Sequence, residues 1–402
     1  MNQEQIERLA LPNSSKIVLV VVDGLGGLPH PETGQTELES ARTPNLDNLA
    51  KKGICGLIDP LGPGLTPGSG PAHLALFGYD PFRFVIGRGI LEALGIDFPL
   101  QEGDVAARGN FCTVDRTGVI TDRRAGRIST EECTRLCQLL SQIKLNGAQA
   151  LLSPVRGHRF LLVLRGTGLH PDITESDPSQ TGLEPNPIMA LSPEAEQTAA
   201  LAAEWVRQAK AILSDSYPAN MVLLRGFSQH PAIPSMRTIY KLNPLAVATY
   251  PMYRGLAKLV GMEVVNIDIA SSIADEFATL SQHYASYDFF FLHIKQADAA
   301  GEDGNFEEKV RVIEEVDAAL PALTGLEPEV IVVTGDHSTP AALKAHSWHP
   351  VPLVLCSPWC RTDEANEFSE RACARGGLGH LPSLALMPLA LAHALKLIKF
   401  GA

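Results

Sequence analysis

Charge is sparse in this 402-residue chain and positive charge is sparser: 33 Lys and Arg against 45 Asp and Glu leave a net charge of −12, with 19% of residues charged. Nucleic acid and anionic membranes both reward clustered Lys and Arg, so neither is expected as a partner. A small anionic substrate is untouched by this exclusion, because it answers to local charge. Aromatic residues are also few, at 6%, yet a 45% hydrophobic fraction is that of an ordinary globular protein and excludes a disordered one. The seven cysteines include no C-x-x-C pair, and their odd number suits reduced thiols in a cytoplasmic protein. MNQEQIERLALPNSSK has no basic stretch leading into an apolar one, so the chain reads without a signal peptide. The most apolar tail segment, Leu381 to Phe400, is interrupted by Pro388, His393 and Lys396, and is expected to be a buried terminal helix and not a membrane span. A dinucleotide fingerprint is missing too: Gly24 and Gly26 follow a strand, but Pro29 stands where the third glycine belongs.

What is present is a pattern of buried strands alternating with helices. KIVLVVV (Lys16 to Val22) is a β-branched run without alternation, as expected of a strand covered on both faces. Phe289 to His293, Val330 to Thr334 and Val351 to Cys356 read the same way. Between them, Thr43-Pro44 starts a helix that Gly53 ends. Phe306, Val310, Ile313 and Leu320 form an apolar helical stripe, with Glu307 spaced to pair with Arg311. These signals predict an α/β fold with a mainly parallel sheet flanked by helices. The stretch from Arg83 to Arg237 differs, being richer in Arg and Gly with weaker strands; helices are expected after Ser129 (with Glu132 as a capping box) and after Ser192-Pro193. The length suggests two domains, so 84–237 reads as a smaller α/β domain inserted into a discontinuous one made of 1–83 and 238–402.

The chemistry collects where strands end. Asp23 follows the first strand; Asp298, Glu302 and Asp303 follow FFFLH; Asp336 and His337 follow VIVVT; His346 and His349 precede VPLVLC. In a parallel sheet such positions gather at the carboxyl edge, where open α/β proteins place ligands. Any one of these residues could be an ordinary cap or loop residue. Together, unpaired, their carboxylates would repel, and divalent cations relieve that; a mixed Asp/His/Glu set suits Zn²⁺, Mn²⁺ or Mg²⁺. GPGLTPGSGPAHLALFGYDP adds Ser69 between two glycines ahead of a helix start, a place where backbone N–H groups can face a tetrahedral anion and a serine can act as nucleophile. The middle region supplies guanidiniums suited to carboxylate and phosphate: Arg108, Arg123-Arg124-x-x-Arg127, His158-Arg159 and Arg225.

With these residues in view, the sequence resembles the archaeal-type cofactor-independent phosphoglycerate mutases of the alkaline phosphatase superfamily. The resemblance runs over nearly the whole chain and is carried by VVVDGLGGLP, ARTPNLDNLAKKG, TPGSGPAHLALFGYDP, GRGILEALG, GDVAARGNF, DRRAGRI, HIKQADAAGEDG, TGDHSTP, HSWHPVP and KFGA. It implies an alkaline-phosphatase-like sheet domain and an inserted substrate-clamping domain. It also implies two divalent metal ions and no requirement for 2,3-bisphosphoglycerate. Asp23, Ser69, Asp336 and His337 match the ligands of the metal beside the nucleophile; Asp298, the position of Glu302, and His346 match those of the second. Ser69 would be the phosphorylated serine, with Arg108, Arg124, Arg127, His158, Arg159 and Arg225 as substrate-binding candidates. Two departures stand out: the family pattern has D-x-x-x-H where this chain has Asp298-x-x-x-Glu302, and G-S-D where it has G-S-G. The extra carboxylate hardens the second site and bears on which metal it takes.

The implied activity is interconversion of 3-phosphoglycerate and 2-phosphoglycerate through phosphoserine, with closure of the inserted domain shielding that intermediate from water. A metal-dependent phosphatase, a mutase for another small phosphorylated metabolite, and a non-catalytic phosphometabolite-binding protein stay open as alternatives, as does the oligomeric state.

Overall fold

A computed structural model describes residues 3–401, and all structural statements below concern those residues. Two compact units form, one running to Val85 and resuming at Ile233, the other Ile86–Ala232; the sequence-derived divisions lay at 83/84 and 237/238. The second division moves because Arg237 lies in the helix Met236–Tyr240, which begins after a Ser235 cap and buries Met236, Ile239 and Tyr240.

In the discontinuous unit the strands are β1 (Ile17–Val22), β2 (Ile54–Asp59), β3 (Pro244–Ala248), β4 (Glu263–Val264), β5 (Phe289–Ile294), β6 (Val330–Thr334), β7 (Val351–Cys356) and β8 (Gly379–Pro382). They make an eight-stranded sheet in the order β8-β2-β7-β6-β1-β5-β3-β4. All six residues of β1 are buried, because strands flank it on both sides and helices cover both faces. A fully buried Val or Ile is worth about 1.5–3 kcal/mol over an exposed one, so this strand anchors the core.

β1 runs parallel to β5 and β6, and β5 is parallel to β3. β7 is the exception: it pairs antiparallel with both β6 and β2. Its reversal has a useful result, since the residues before β7 arrive at the same edge as the residues after β1, β5 and β6.

Local expectations differ from the structure in several places. Arg311 pairs with Glu308 and Glu315, not Glu307, because those two carboxylates lie three before and four after it on one helix face. The tail helix covers only Leu386–His393; Leu381 belongs to β8, and a fully buried Lys396 donates to the Asn13 carbonyl past the helix end. The four-residue spacing of Cys133/Cys137 and of Cys356/Cys360 would put each pair on one helix face; the first pair does share the buried face of the helix Thr130–Leu140, but Cys356 ends β7 and Cys360 lies in the following turn. No helix among the described residues is long and apolar enough to cross a membrane.

The Ile86–Ala232 unit has its own sheet, in which Val105–Val114 is flanked by Arg159–Arg165 and Met221–Ser228, all antiparallel. Its separate core packs Phe111, Phe160, Leu162, Trp205 and Val222.

Candidate metal centre

Asp23 is the first residue beyond β1, and β1 lies between β5 and β6, so Asp23 is surrounded by whatever follows those strands. One carboxylate oxygen, Oδ2, accepts from the Tyr253 hydroxyl, from His293 Nε2 at 3.2 Å and from Lys295 Nζ at 3.2 Å. Burial works against its charge, but Lys295, His293 and His337 outweigh burial and hold Asp23 well below the usual carboxylate range. The other oxygen, Oδ1, is buried with no hydrogen-bond partner and lies 3.4 Å from His337 Nε2.

Asp336 and His337 follow β6 and are fully buried. Asp336 Oδ1 accepts from the Gly24 N–H at 3.2 Å, while Oδ2 is again buried without a hydrogen bond, 3.1 Å from His337 Nε2 and 3.2 Å from His73 Nδ1. Burial holds His337 below the ordinary histidine range, so its imidazole is neutral at pH 7. Ser69 begins the helix Ser69–Leu76, three residues before the run AHLALFG in which the sequence places the helix start, and its Oγ lies 3.1 Å from His337 Nε2. A Cβ at Gly68 would meet only Pro71 Cδ at 3.8 Å, so the loop leaves open space beside the hydroxyl.

Asp298 lies in the helix Gln296–Asp303 after β5 and is fully buried; Oδ2 accepts from Lys295 and Oδ1 from Thr339 Oγ1 at 2.6 Å. His346 donates from Nδ1 to the Pro67 carbonyl at 2.9 Å, which leaves Nε2 bare, 3.5 Å from Asp298 Oδ1 and 3.7 Å from Glu302 Oε1. Its ring stacks on that of His337 with centroids 3.7 Å apart.

The result is two groups whose ligand atoms lie within 4.8 Å of one another: Asp23, Asp336 and His337; and Asp298, His337 and His346. Glu302 stands outside both, its side chain 56% exposed, and His337 occurs in both. His349 stays out, with Nδ1 3.0 Å from Ser347 Oγ. The donors fit divalent cations: three buried carboxylates lie beside the Nε2 atoms of His337 and His346, and two of the carboxylate oxygens are buried without a partner.

Several residues of this centre were missed in the sequence. Lys295 bridges Asp23 and Asp298, Tyr253 stacks on His293 while binding Asp23, and His73 reaches Asp336 and the Ser69 carbonyl. Lys309 is fully buried and donates to the Gly26 and Thr339 carbonyls, both at 2.9 Å. The available signals were a histidine inside the apolar run FFFLHI and a lysine inside an apolar helical stripe.

In the other unit, Arg108 is nearly buried, opposite Arg225 across the sheet, with Nε 3.6 Å from Glu92. Burial and the neighbouring Arg159, Arg108 and Arg124 push His158 down to about 4, so it is uncharged at neutral pH. Arg88, also missed, is lowered by its partly enclosed position and by Arg225, with Arg159 contributing. Arg225 shares Asp177 with Arg123, which is held there bidentately and is thereby taken out of the candidate set. Arg127 is exposed.

A family profile described as 2,3-bisphosphoglycerate-independent phosphoglycerate mutase matches residues 50–220. The chain is 51% identical over 400 residues to a Thermus thermophilus protein named "Probable 2,3-bisphosphoglycerate-independent phosphoglycerate mutase", covering 99% of this chain and 98% of that one. Among solved structures, the PH0037 protein of Pyrococcus horikoshii matches with a TM-score of 0.84 and 30% identity, over 97% of this chain and 100% of that one. The cofactor-independent phosphoglycerate mutase of Thermoplasma acidophilum matches with a TM-score of 0.68 and 31% identity, over 94% and 100%.

Proposed function

The chain belongs to the 2,3-bisphosphoglycerate-independent phosphoglycerate mutase family, and on that premise we propose that it interconverts 3-phosphoglycerate and 2-phosphoglycerate with Ser69 carrying the phosphoryl group. The observation that carries this reading is the 3.1 Å approach of Ser69 Oγ to His337 Nε2, at the meeting point of Asp23 and Asp336. Asp23, Asp336, His337 and Ser69 would hold one divalent cation, and Asp298 and His346, with Glu302 3.7 Å from His346 Nε2, a second. Bound there, Mn²⁺, Mg²⁺ or Zn²⁺ would lower the proton affinity of the serine hydroxyl and offset phosphoryl charge.

The chain's own residues perform the transfer. Ser69 Oγ attacks phosphorus in line; the Oγ–P bond forms as the bond from phosphorus to the 3-oxygen of glycerate breaks, and the proton lost by Ser69 goes to that oxygen. The 2-hydroxyl of glycerate then attacks the phosphoserine, the Oγ–P bond breaks, and its proton returns to Ser69. Because Ser69 stores the group, no 2,3-bisphosphoglycerate is required. The helix that starts at Ser69 directs a positive dipole end toward the phosphoryl oxygens. Lys295 adds a fixed positive charge beside Asp23 and Asp298. We assign Arg108, Arg124, Arg159, Arg225 and Arg88 to the carboxylate and phosphate, and the uncharged His158 to a hydroxyl; Arg127 is the least supported of the sequence candidates. The seven free cysteines accord with a cytoplasmic glycolytic enzyme.

The test is incubation with 3-phosphoglycerate and Mn²⁺, comparing wild type with Ser69→Ala. Interconversion without free phosphate is expected, absent from the variant. Wild-type activity in Ser69→Ala would exclude the serine as carrier, and phosphate as the main product would assign a phosphatase.

A further inference from the structure

Thr339 lies two residues past His337 and is fully buried. Its Oγ1 is 2.6 Å from Asp298 Oδ1 and 3.0 Å from His337 Nδ1, so a single hydroxyl touches both groups of candidate ligands. A hydroxyl has one proton to give, and an ionised carboxylate can only accept. The proton is therefore directed to Asp298, and the remaining interaction with His337 requires Nδ1–H as donor. That order makes Nδ1 the protonated nitrogen of a singly protonated ring and leaves Nε2 as the atom facing Asp23, Asp336 and Ser69, at 3.4, 3.1 and 3.1 Å.

We propose that Thr339 is a positioning residue that sets the His337 tautomer and the Asp298 orientation together, assigning His337 to the Asp23–Asp336 cation and leaving Asp298 and His346 to the other. The inference rests on the two-cation reading above. It also explains how one imidazole can occur in both groups of ligand atoms: with Nδ1 committed to Thr339, only Nε2 is left to ligate, and Nε2 is the atom that faces Asp336.

The surroundings hold this hydroxyl in place. The Thr339 carbonyl accepts from Lys309 Nζ at 2.9 Å, and its N–H donates to the Gly26 carbonyl at 3.1 Å. Gly24 has a φ of +69, and a Cβ there would lie 2.6 Å from Thr339 Oγ1; a Cβ at Gly301 would lie 2.2 Å from the Thr339 carbonyl oxygen. Two glycines thus keep the space that the side chain and its carbonyl fill.

Two measurements on the whole chain test the proposal. In wild type stripped of metal and labelled with ¹⁵N-histidine, long-range ¹⁵N–¹H correlation spectra should show His337 as the Nδ1–H tautomer; the Nε2–H tautomer would overturn the proposal without any variant. In calorimetric titration with Mn²⁺, Thr339→Val should bind both ions about 10–100-fold more weakly, the usual loss when an outer-shell partner is removed. Thr339→Ser, which keeps the hydroxyl, should stay close to wild type. Wild-type affinity at either site in Thr339→Val overturns the linkage. Should wild type itself bind no second ion, the two-cation reading fails instead, and the tautomer result still decides the role of Thr339.

Discussion

Replacing Lys309 with methionine should cost the protein more stability than any exposed substitution, and the size follows from its contacts. The ammonium is fully buried, donates to the Gly26 and Thr339 carbonyls at 2.9 Å each, and lies 3.8 Å from Glu37 Oε1. Burial pulls its pKa down, and Glu37 and then Glu370 oppose that. Methionine fills the same space, so the cost is electrostatic and not a cavity. A buried carbonyl left without a donor costs about 1–3 kcal/mol, which falls on Thr339, since the Gly26 carbonyl keeps the Thr339 N–H at 3.1 Å. Removing one member of a buried ion pair costs about 3–5 kcal/mol, because the partner charge is stranded. These terms overlap, and Glu37 keeps the Ala341 N–H at 2.8 Å, so we expect a net loss of about 3–5 kcal/mol. For a unit of roughly 250 residues that is a fall in Tm of about 6–20 °C. Urea unfolding and calorimetry on metal-free protein would measure it. Adding Glu37→Gln to the variant should recover part of the loss, since the stranded charge is then gone. A loss below about 1 kcal/mol, or no recovery in the double variant, would refute a charged clamp at this position.

Two further outcomes can be checked on the same preparation. Glu276 is fully buried, and burial raises its carboxyl to about 8, with Thr249 opposing. The unfolded chain ionises this group near pH 4–5 while the folded protein keeps its proton, so its contribution to stability is complete below that range and lost as pH rises through 8. Stability should fall by up to about 1.4 kcal/mol per pH unit across the window, and Glu276→Gln should remove that slope in denaturant midpoints taken from pH 5 to 9; an unchanged slope contradicts it. Chelated protein should gain stability on adding Mn²⁺, about 2.7 kcal/mol per site at a free concentration 100 times Kd, read as a concentration-dependent Tm; a Tm indifferent to Mn²⁺ contradicts cation binding at the carboxylate cluster.

The strands and the residues at their ends were readable because burial on two faces demands long β-branched runs, and because Asp or His directly after such a run is conspicuous. β1, β5, β6 and β7 emerged within a residue of their expected limits. Lys309, Tyr253 and Thr339 were not readable in that way. Lys309 meets Gly26 across 283 residues and Tyr253 meets Asp23 across 230, so each role exists only in the folded chain. The resemblance also implied that Glu302 would join Asp298 and His346 as a ligand, yet its side chain is half in solvent, and His337, its ring stacked on that of His346, stands in the second group. The direction of β7 was likewise hidden, because a strand buried on both faces has the same composition whichever way it runs.

That reversal of β7 makes the link from Gly335 to Pro350 a return bend on one side of the sheet. The bend is pinned across its middle, with the Ser347 N–H donating to the Ser338 carbonyl at 2.9 Å and Ser338 Oγ donating to the His349 carbonyl at 3.1 Å. His337 and His346 therefore stack within one continuous bend, which distant chain holds as well, through the Pro67 carbonyl on His346 Nδ1 and the bridge from Ser338 to Gly26. A shift of that bend would carry both imidazoles together.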